Sequence, residues 1–203
     1  MRDFNFAFLD CEFGGLDVEL HDITEIGVIV TDYRLAEIAV QEWKVIARAE
    51  RITAEAAKIS GYEEKLWADA VPIRQALGEL SALLPKGKTV VPAGQNVRMD
   101  VIFLERAYKN CGIPYPFDYH VIDLATLFYA WSLVNGERVS ALSLRQAATT
   151  AGLMEGEVPH RALADARLAL DSFRHYIGRL APREPAEGAP REPSESGSTS
   201  GEG

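Results

Sequence analysis

The segment FLDCEFGGLD, residues 8–17, joins an apolar run to two acidic residues and two glycines. The apolar run from Phe4 to Leu9 predicts a buried strand over residues 4–10, and side chains alternate across a strand. Asp10 and Glu12 should therefore point the same way, with Cys11 in the opposite layer. Two carboxylates on one face repel each other unless a cation joins them, and hard divalent cations prefer oxygen ligands. Taken alone, the pattern is explained more simply by solvated acids at a strand end.

The sequence after this segment predicts a meander of antiparallel strands. ITEIGVIVT, residues 23–31, is β-branched and apolar, as expected of a central strand. TDYR then turns the chain, and residues 37–46 continue with apolar positions. These connections are too short for parallel crossovers, which need about a dozen residues or more. The first three strands are therefore expected to be antiparallel.

Beyond residue 70 the pattern changes to strands that alternate with helices, which predicts parallel strands with helical crossovers. The expected fold class is α/β, a mixed five-stranded sheet flanked by helices. Gly112 is predicted to end the second helix. The predicted strands of this part are residues 89–93 and 120–123, and the predicted helices are residues 72–84, 100–111, 124–133, 143–151 and 162–179.

Two later stretches carry further acids. In AGQNVRMDVIFL, residues 93–104, Asp100 starts an apolar helix and Asn96 lies one turn earlier. In PHRALADARLAL, residues 159–170, Asp165 lies on a helix, five residues after His160. Five residues span about 500° of helix, so the two cannot share a helical face. His160 is expected on the preceding loop, where an imidazole can exchange protons near neutral pH. Alone, Asp100 would be explained by the helix dipole, and His160 as a surface histidine.

The order of these motifs resembles the DEDDh exonucleases, the DnaQ-like 3′-5′ exonucleases. It consists of Asp10-x-Glu12, Asn96-x-x-x-Asp100 and His160-x-x-x-x-Asp165. The resemblance extends from about Phe4 to Ile177 and implies a ribonuclease H-like fold.

The resemblance also implies roles for individual residues. Asp10, Glu12, Asp100 and Asp165 would hold two divalent metal ions, Mg2+ or Mn2+, and His160 would be the general base. The implied substrate contacts are Phe13, Gly14, Gly15, Leu16 and Asn96, with Leu16 against the terminal base. The chain departs from its relatives, which commonly have threonine at positions 13 and 14, histidine at position 95 and phenylalanine at position 99.

The expected function is metal-dependent 3′-5′ hydrolysis of single-stranded DNA or RNA ends, releasing nucleoside 5′-monophosphates. Two alternatives stay open. One is an oligoribonuclease-like enzyme that degrades very short RNA, and the other is a noncatalytic module that binds nucleic acid or protein. Relatives are often dimers, so a homodimer is also open. Arg98, Arg138, Arg145 and Arg161 are candidates for contacts with distal phosphates, although such arginines are mostly solvated.

Composition sets outer bounds on these expectations. The net charge of -9 argues against a long nucleic-acid footprint, since proteins with one are usually basic, but not against a small one. No segment has the eighteen or so consecutive apolar residues of a membrane helix, so no membrane partner is expected. Two cysteines form neither a disulfide framework nor a zinc motif, which favours a reduced cytoplasmic setting.

The chain is expected to consist of one exonuclease domain, residues 1–181, and a tail, residues 182–203. APREP occurs twice around this boundary, and the chain ends in SESGSTSGEG. Such Pro-, Glu-, Ser- and Gly-rich sequence cannot bury enough apolar surface to fold, so disorder is expected. A tail partner is left open.

Overall fold

The computed structural model describes residues 4–156 and 160–180, and the predicted tail lies outside them. Its sheet has five strands in the order β3-β2-β1-β4-β5. The strands are β1 Phe4–Phe13, β2 Ile23–Thr31, β3 Glu37–Lys44, β4 Thr89–Gly94 and β5 Ile122–Asp123. The helices are α1 Ala54–Ser60, α2 Ile73–Leu83, α3 Arg98–Cys111, α4 Leu124–Asn135, α5 Leu144–Thr150 and α6 Ala162–Leu180, with short 3-10 turns at Ala49–Arg51 and Glu64–Trp67.

The predicted mixed topology is confirmed. Strand β1 pairs antiparallel with β2 and parallel with β4, β2 pairs antiparallel with β3, and β4 pairs parallel with β5. Four strand boundaries differ from the prediction, and in β4 the difference is one residue, since it ends at Gly94. β1 extends to Phe13 because its ladder with β2 continues past Asp10, whereas β3 ends at Lys44 and β5 has only two residues. Helix α1 was not predicted, although Thr53 caps its start and Gly61 ends it in the left-handed conformation.

Two core layers cover the faces of the sheet. Helices α2 and α3 pack on one face, with Leu77 and Leu104 buried against Leu9 of β1. Helices α4, α5 and α6 pack on the other face, with Leu170 buried against Phe8. Because side chains alternate along β1, the even-numbered Asp10 and Glu12 belong to the α6 face. Trp43, Trp67 and Trp131 are all buried. In the described ranges, no helix combines the length and apolar composition needed to cross a bilayer.

Helix α6 approaches β2 at Gly27 with backbone against backbone. A Cβ atom at Gly27 would lie 2.5 Å from Cα of Leu163 and would also collide with the carbonyl carbon of Ala162. Real Cβ atoms essentially never come so close to backbone atoms, so the position needs a residue without a side chain. The first turn of α6 is thereby docked at the middle of β2, opposite Asp10 in the β1–β2 ladder.

Gly27→Ala tests this contact. We expect the free energy of unfolding to fall by about 1–3 kcal/mol, because the added methyl group must displace α6 or strain the sheet. The measurement is denaturant unfolding followed by circular dichroism. Gly78→Ala is the matched control, since nothing lies within 4 Å of its added Cβ and it is inside α2. There we expect a gain of roughly 0.5–1 kcal/mol. Wild-type stability in Gly27→Ala would contradict the docking described here.

Candidate active site

The end of β1 is flanked by the first turn of α3. The paired residues of β1 and β4 end at Phe8 and Ala93, so β1 continues beyond its parallel neighbour. There the Cys11 backbone N–H donates to Oδ1 of Asp100 at 2.8 Å. Asp100 is buried and lies in the first turn of α3. Its carboxylate thus takes the place of a strand partner and is held beside Asp10.

The first turn of α6 brings the third motif to the same strand end. Glu12, His160 and Asp165 each offer a candidate ligand atom, and these atoms lie within 4.8 Å of one another. Asp165 is buried, whereas His160 is exposed on the segment before α6. The predicted division between a helical carboxylate and a loop imidazole is therefore what the structure has.

The electrostatics of Asp10 connect the two groups. Burial, and then the charges of Asp100, Asp165 and Glu12, raise the pKa of Asp10 well above its ordinary value. Burial likewise raises the pKa of Asp100 to about 8, although the hydrogen bond from Cys11 opposes the rise. The acids of all three motifs therefore interact at one place.

Glu12 and Asp165 have similar shifts. Burial, followed by the charges of Asp165 and Glu25, raises the pKa of Glu12 to about 7. Burial and the charge of Glu25 raise the pKa of Asp165 to about 7, against a hydrogen bond from the His160 backbone. Clustered carboxylates with raised pKa values are typical of functional sites.

The donor set fits divalent cations. Oδ1 of Asp165 is buried and has no hydrogen-bond partner within residues 4–156 and 160–180. A buried carboxylate oxygen without a donor is costly unless a cation or a water occupies its free side. Carboxylate oxygens are the ligands that Mg2+ and similar hard cations prefer. The residues present can therefore hold such ions without any further ligand type.

The segment after Glu12 is only partly available to a substrate. Phe13 packs toward the opposite layer, where its ring stacks on Phe103 with centroids 4.0 Å apart. Its side chain is thus not on the site face, because it alternates with Glu12 along β1. Leu16, by contrast, is 81% exposed and remains a candidate for contact with a base.

Contacts within the chain limit the space for a side chain at Gly14 and at Gly15, and the sequence alone did not reveal these contacts. A Cβ at Gly14 would collide with the carbonyl oxygen of Arg51, and Gly14 is buried. A Cβ at Gly15 would lie 2.6 Å from the ring of His21. The backbone of Gly14 also accepts a hydrogen bond from Thr53 N–H at 2.8 Å. Packing of the chain against itself is therefore sufficient to explain the missing side chain at Gly14.

Asn96 lies on the turn between β4 and α3. It is exposed and adopts a left-handed conformation with φ 52°. Asparagine is among the residues that tolerate this region best. Its carbonyl accepts from Met99 N–H at 3.1 Å, which helps to start α3 and so to place Asp100.

Sequence reasoning missed Glu25. It is fully buried and lies opposite Glu12 in the β1–β2 ladder, where it is ion-paired with Arg161. Arg161 is therefore an ion-paired arginine, with its side chain 42% exposed, rather than a freely solvated one. A charged residue inside the apolar run ITEIGVIVT was the available signal. Arg98, Arg138 and Arg145 are exposed.

The chain is similar to proteins of known family. Residues 7–173 match a family model described as Exonuclease. The chain is similar to an oligoribonuclease of Photobacterium profundum, 31% identical over 142 residues, which are 63% of this chain and 75% of that protein. It is also similar to an oligoribonuclease of Pseudomonas putida, 27% identical over 183 residues, covering 85% of this chain and 93% of that one.

Solved structures with the same fold include exonuclease I. The zinc-bound complex of E. coli exonuclease I with single-stranded DNA has a TM-score of 0.71 at 18% identity, covering 89% of this chain and 41% of that one. Exonuclease I of Methylocaldum szegediense has a TM-score of 0.72 at 18% identity, with coverage of 89% and 41%. The chain therefore spans about two fifths of the length of these structures.

The raised pKa values predict how stability depends on pH without metal. In the folded state Asp165 ionises at about 7, but in the unfolded chain it should ionise near 4. The folded state therefore binds more protons in this window, and the free energy of unfolding falls as pH rises from about 4 to about 7. Asp165→Asn cannot ionise and removes this penalty. At pH 8 in EDTA we expect its Tm to exceed that of the wild type by roughly 2–4 °C, which corresponds to about 1 kcal/mol.

At pH 4.5 the two Tm values should nearly agree, and added Mg2+ at pH 8 should stabilise the wild type more than the variant. Asp171→Asn is the control, because Asp171 lies on α6 but pairs with Arg174 outside the site. The Tm of Asp171→Asn should not exceed that of the wild type at pH 4.5 or at pH 8. A difference between Asp165→Asn and wild type that does not change with pH would contradict the acid cluster.

Proposed function

The chain belongs to the exonuclease family, and from this premise we propose that it removes nucleoside 5′-monophosphates stepwise from single-stranded 3′ ends. Exonucleases of this family depend on divalent metal ions. In this proposal Asp10, Glu12, Asp100 and Asp165 hold two such ions, Mg2+ or Mn2+, and His160 is the general base.

One observation carries the proposal: carboxylates from three separate motifs meet at the end of β1. Asp100 accepts from Cys11 N–H, while Asp165 lies near Glu12 and His160. Asp100 and Asp165 lie in the first turns of α3 and α6. Helix N-termini stabilise nearby negative charge, so both positions are favourable for a carboxylate. Burial and mutual repulsion disfavour ionised carboxylates at this place, and bound cations would neutralise them.

The chain's own groups account for the rest of the reaction. Bound divalent cations would lower the pKa of the attacking water and stabilise negative charge on the departing oxygen. In this proposal His160 accepts the proton of the attacking water, and its exposure and its position near Glu12 and Asp165 support that role. Leu16 offers an exposed apolar contact for the terminal base. An acidic protein can then bind an anionic substrate through cations rather than through a basic surface.

A second candidate, cleavage of very short RNA, is favoured by the coverage of the relatives. The oligoribonuclease of Pseudomonas putida is matched over 93% of its length, whereas the exonuclease I chains are matched over about two fifths. The match therefore takes in nearly all of that oligoribonuclease but only part of exonuclease I. A homodimer and a cytoplasmic location stay predictions.

Asp10→Asn tests the metal site. Purified protein is incubated with 5′-labelled DNA and RNA of 2 to about 20 nucleotides, in Mg2+, Mn2+ or EDTA. We expect a descending ladder with the wild type, no ladder in EDTA, and a rate at least about 100-fold lower in Asp10→Asn, since metal clamping stabilises the transition state. Asp69→Asn, an exposed acid paired with Lys44, is the control for lost charge and should keep full activity.

The same length series separates the two candidates. A rate that is highest for RNA dinucleotides and falls steeply with length supports the short-RNA enzyme, whereas comparable rates along the ladder support a general exonuclease. Metal-dependent activity in Asp10→Asn equal to that of the wild type would refute the proposed site. Absence of turnover on every substrate would favour a noncatalytic binding module.

His160→Ala tests the general base. We expect kcat to fall by roughly 10²–10⁴-fold, the usual contribution of a positioned acid–base group. Binding of Mn2+, measured by calorimetry, should stay within about threefold of wild type, since carboxylates are the proposed ligands. His175→Ala, on the distal part of α6, is the matched control and should leave kcat unchanged. A large loss of Mn2+ affinity in His160→Ala would make the imidazole a ligand instead.

A further inference from the structure

We propose that the ion pair of Glu25 and Arg161, called here the Glu25–Arg161 clamp, is a positioning device that holds His160 toward Glu12 and Asp165. This inference rests on the role proposed above for His160 and adds a residue pair that supports it. The clamp joins the β2 strand to the segment that carries the imidazole, across 136 residues of sequence.

The contacts of the clamp are extensive. Arg161 Nη2 donates to Glu25 Oε1 at 2.6 Å, and Arg161 Nε lies 3.1 Å from both carboxylate oxygens. The Glu25 side chain is fully buried, while that of Arg161 is 42% exposed. The guanidinium also lies 5.7 Å from the ring centroid of Trp67, whose Nε1 donates to the Thr24 carbonyl at 2.8 Å. Arg161 is therefore held by both a carboxylate and an aromatic face that are fixed to β2.

The clamp acts on the backbone immediately after His160. Arg161 is the next residue, and the N–H of Ala162 also approaches Glu25 Oε2, at 3.4 Å. His160 has a left-handed backbone with φ 51°. For a residue with a side chain this conformation is uncommon, although histidine, like asparagine, adopts it more readily than most, and surrounding contacts help to keep it. The Glu25 carboxylate supplies such contacts, because it accepts from both Arg161 and Ala162.

The anchor of the clamp is also tied to the acid cluster. Glu25 lies directly opposite Glu12 in the antiparallel ladder, so both carboxylates project on the same face of the sheet. Gly27, two residues along β2, admits the backbone of Ala162 and Leu163. The spacing Glu25-x-Gly27 thus docks the start of α6 through one ion pair and one close backbone contact.

Direct contact of Arg161 with a phosphate is the competing assignment. Its Nε and Nη2 donors are directed at a fully buried carboxylate. Moving the guanidinium to a phosphate would leave Glu25 buried without its cation, which is strongly destabilising in comparable pairs. The geometry therefore favours an arginine that acts through His160 over one that binds substrate.

A set of conservative variants separates positioning from stability. Removing one partner of a buried pair destabilises a protein, whereas replacing both with neutral groups is often close to neutral. We expect Arg161→Gln to lower both Tm and kcat, the latter by about 10- to 100-fold as for a small misplacement of a catalytic group, with KM nearly unchanged. In the double variant Glu25→Gln/Arg161→Gln, Tm should recover while kcat stays low. Recovery of kcat together with Tm would overturn the proposal.

The matched control is Arg167→Gln. Arg167 is also on α6 and forms an ion pair with Glu37, but this pair lies away from the acid cluster. It should leave kcat unchanged. A loss of kcat in Arg167→Gln as large as that in Arg161→Gln would overturn the clamp, because any loosening of α6 would then suffice.

A double-mutant cycle asks whether Arg161 acts through His160. In the background of His160→Ala, adding Arg161→Gln should lower kcat by less than about twofold, because residues that act as one unit are not additive. A further loss of about 10-fold or more would mean that Arg161 contributes independently, as a phosphate contact would, and would overturn the proposal.

Paramagnetic broadening tests the placement without turnover. Mn2+ bound at the acids should broaden the His160 ring signal, which is assigned among the four histidines by its loss in His160→Ala. In Arg161→Gln at matched Mn2+ occupancy, we expect the broadening to decrease at least about twofold, while Arg167→Gln matches the wild type. Equal broadening in Arg161→Gln would overturn the clamp. Full activity of His160→Ala would instead overturn the general-base role, and the broadening would still decide the clamp.

Discussion

Mutual repulsion among carboxylates at the end of β1 is the constraint around which this molecule is built. Helix N-termini carry partial positive charge, so they offset part of the repulsion where these acids come together. Helices α3 and α6 both start at this point, with Asp100 and Asp165 in their first turns. Helix N-termini stabilise nearby negative charge, yet burial still raises the pKa values of the acids to about 7 or 8. The remaining repulsion is what makes the site suited to divalent cations.

The sheet order supplies the geometry for this cluster. A central β1 that extends beyond β4 leaves the Cys11 N–H without a strand partner, and Asp100 takes it. On the other side, β2 continues alongside β1 and provides the docking surface for α6. One strand end is therefore flanked by two helix starts from distant parts of the sequence. The same fold occurs in exonuclease I, where it accounts for about two fifths of the chain.

The contact between α6 and β2 serves both the stability of the fold and the proposed orientation of His160. Gly27 permits the backbones to meet, and Glu25 provides a buried charge that Arg161 satisfies. A buried ion pair is weak evidence for stability, because desolvation offsets much of the attraction. Its place beside Glu12 and directly after His160 makes orientation of the imidazole the more consistent reason for it. A short segment of β2 is thus part of the support of the site, although it carries none of the proposed ligands.

Local patterns in the sequence determined much of this protein. Alternation placed Asp10 and Glu12 on one face, helical spacing separated His160 from Asp165, and short connections indicated three antiparallel strands. Helix α1 was equally readable from its Thr53 and Gly61 caps but was not predicted. Tertiary structure alone decided the pairing of Glu25 with Arg161, the packing of Phe13 on Phe103 and the reasons for Gly14 and Gly27. The physical reason is range: periodicity and capping act within a few residues, whereas these contacts depend on which surfaces the completed sheet brings together.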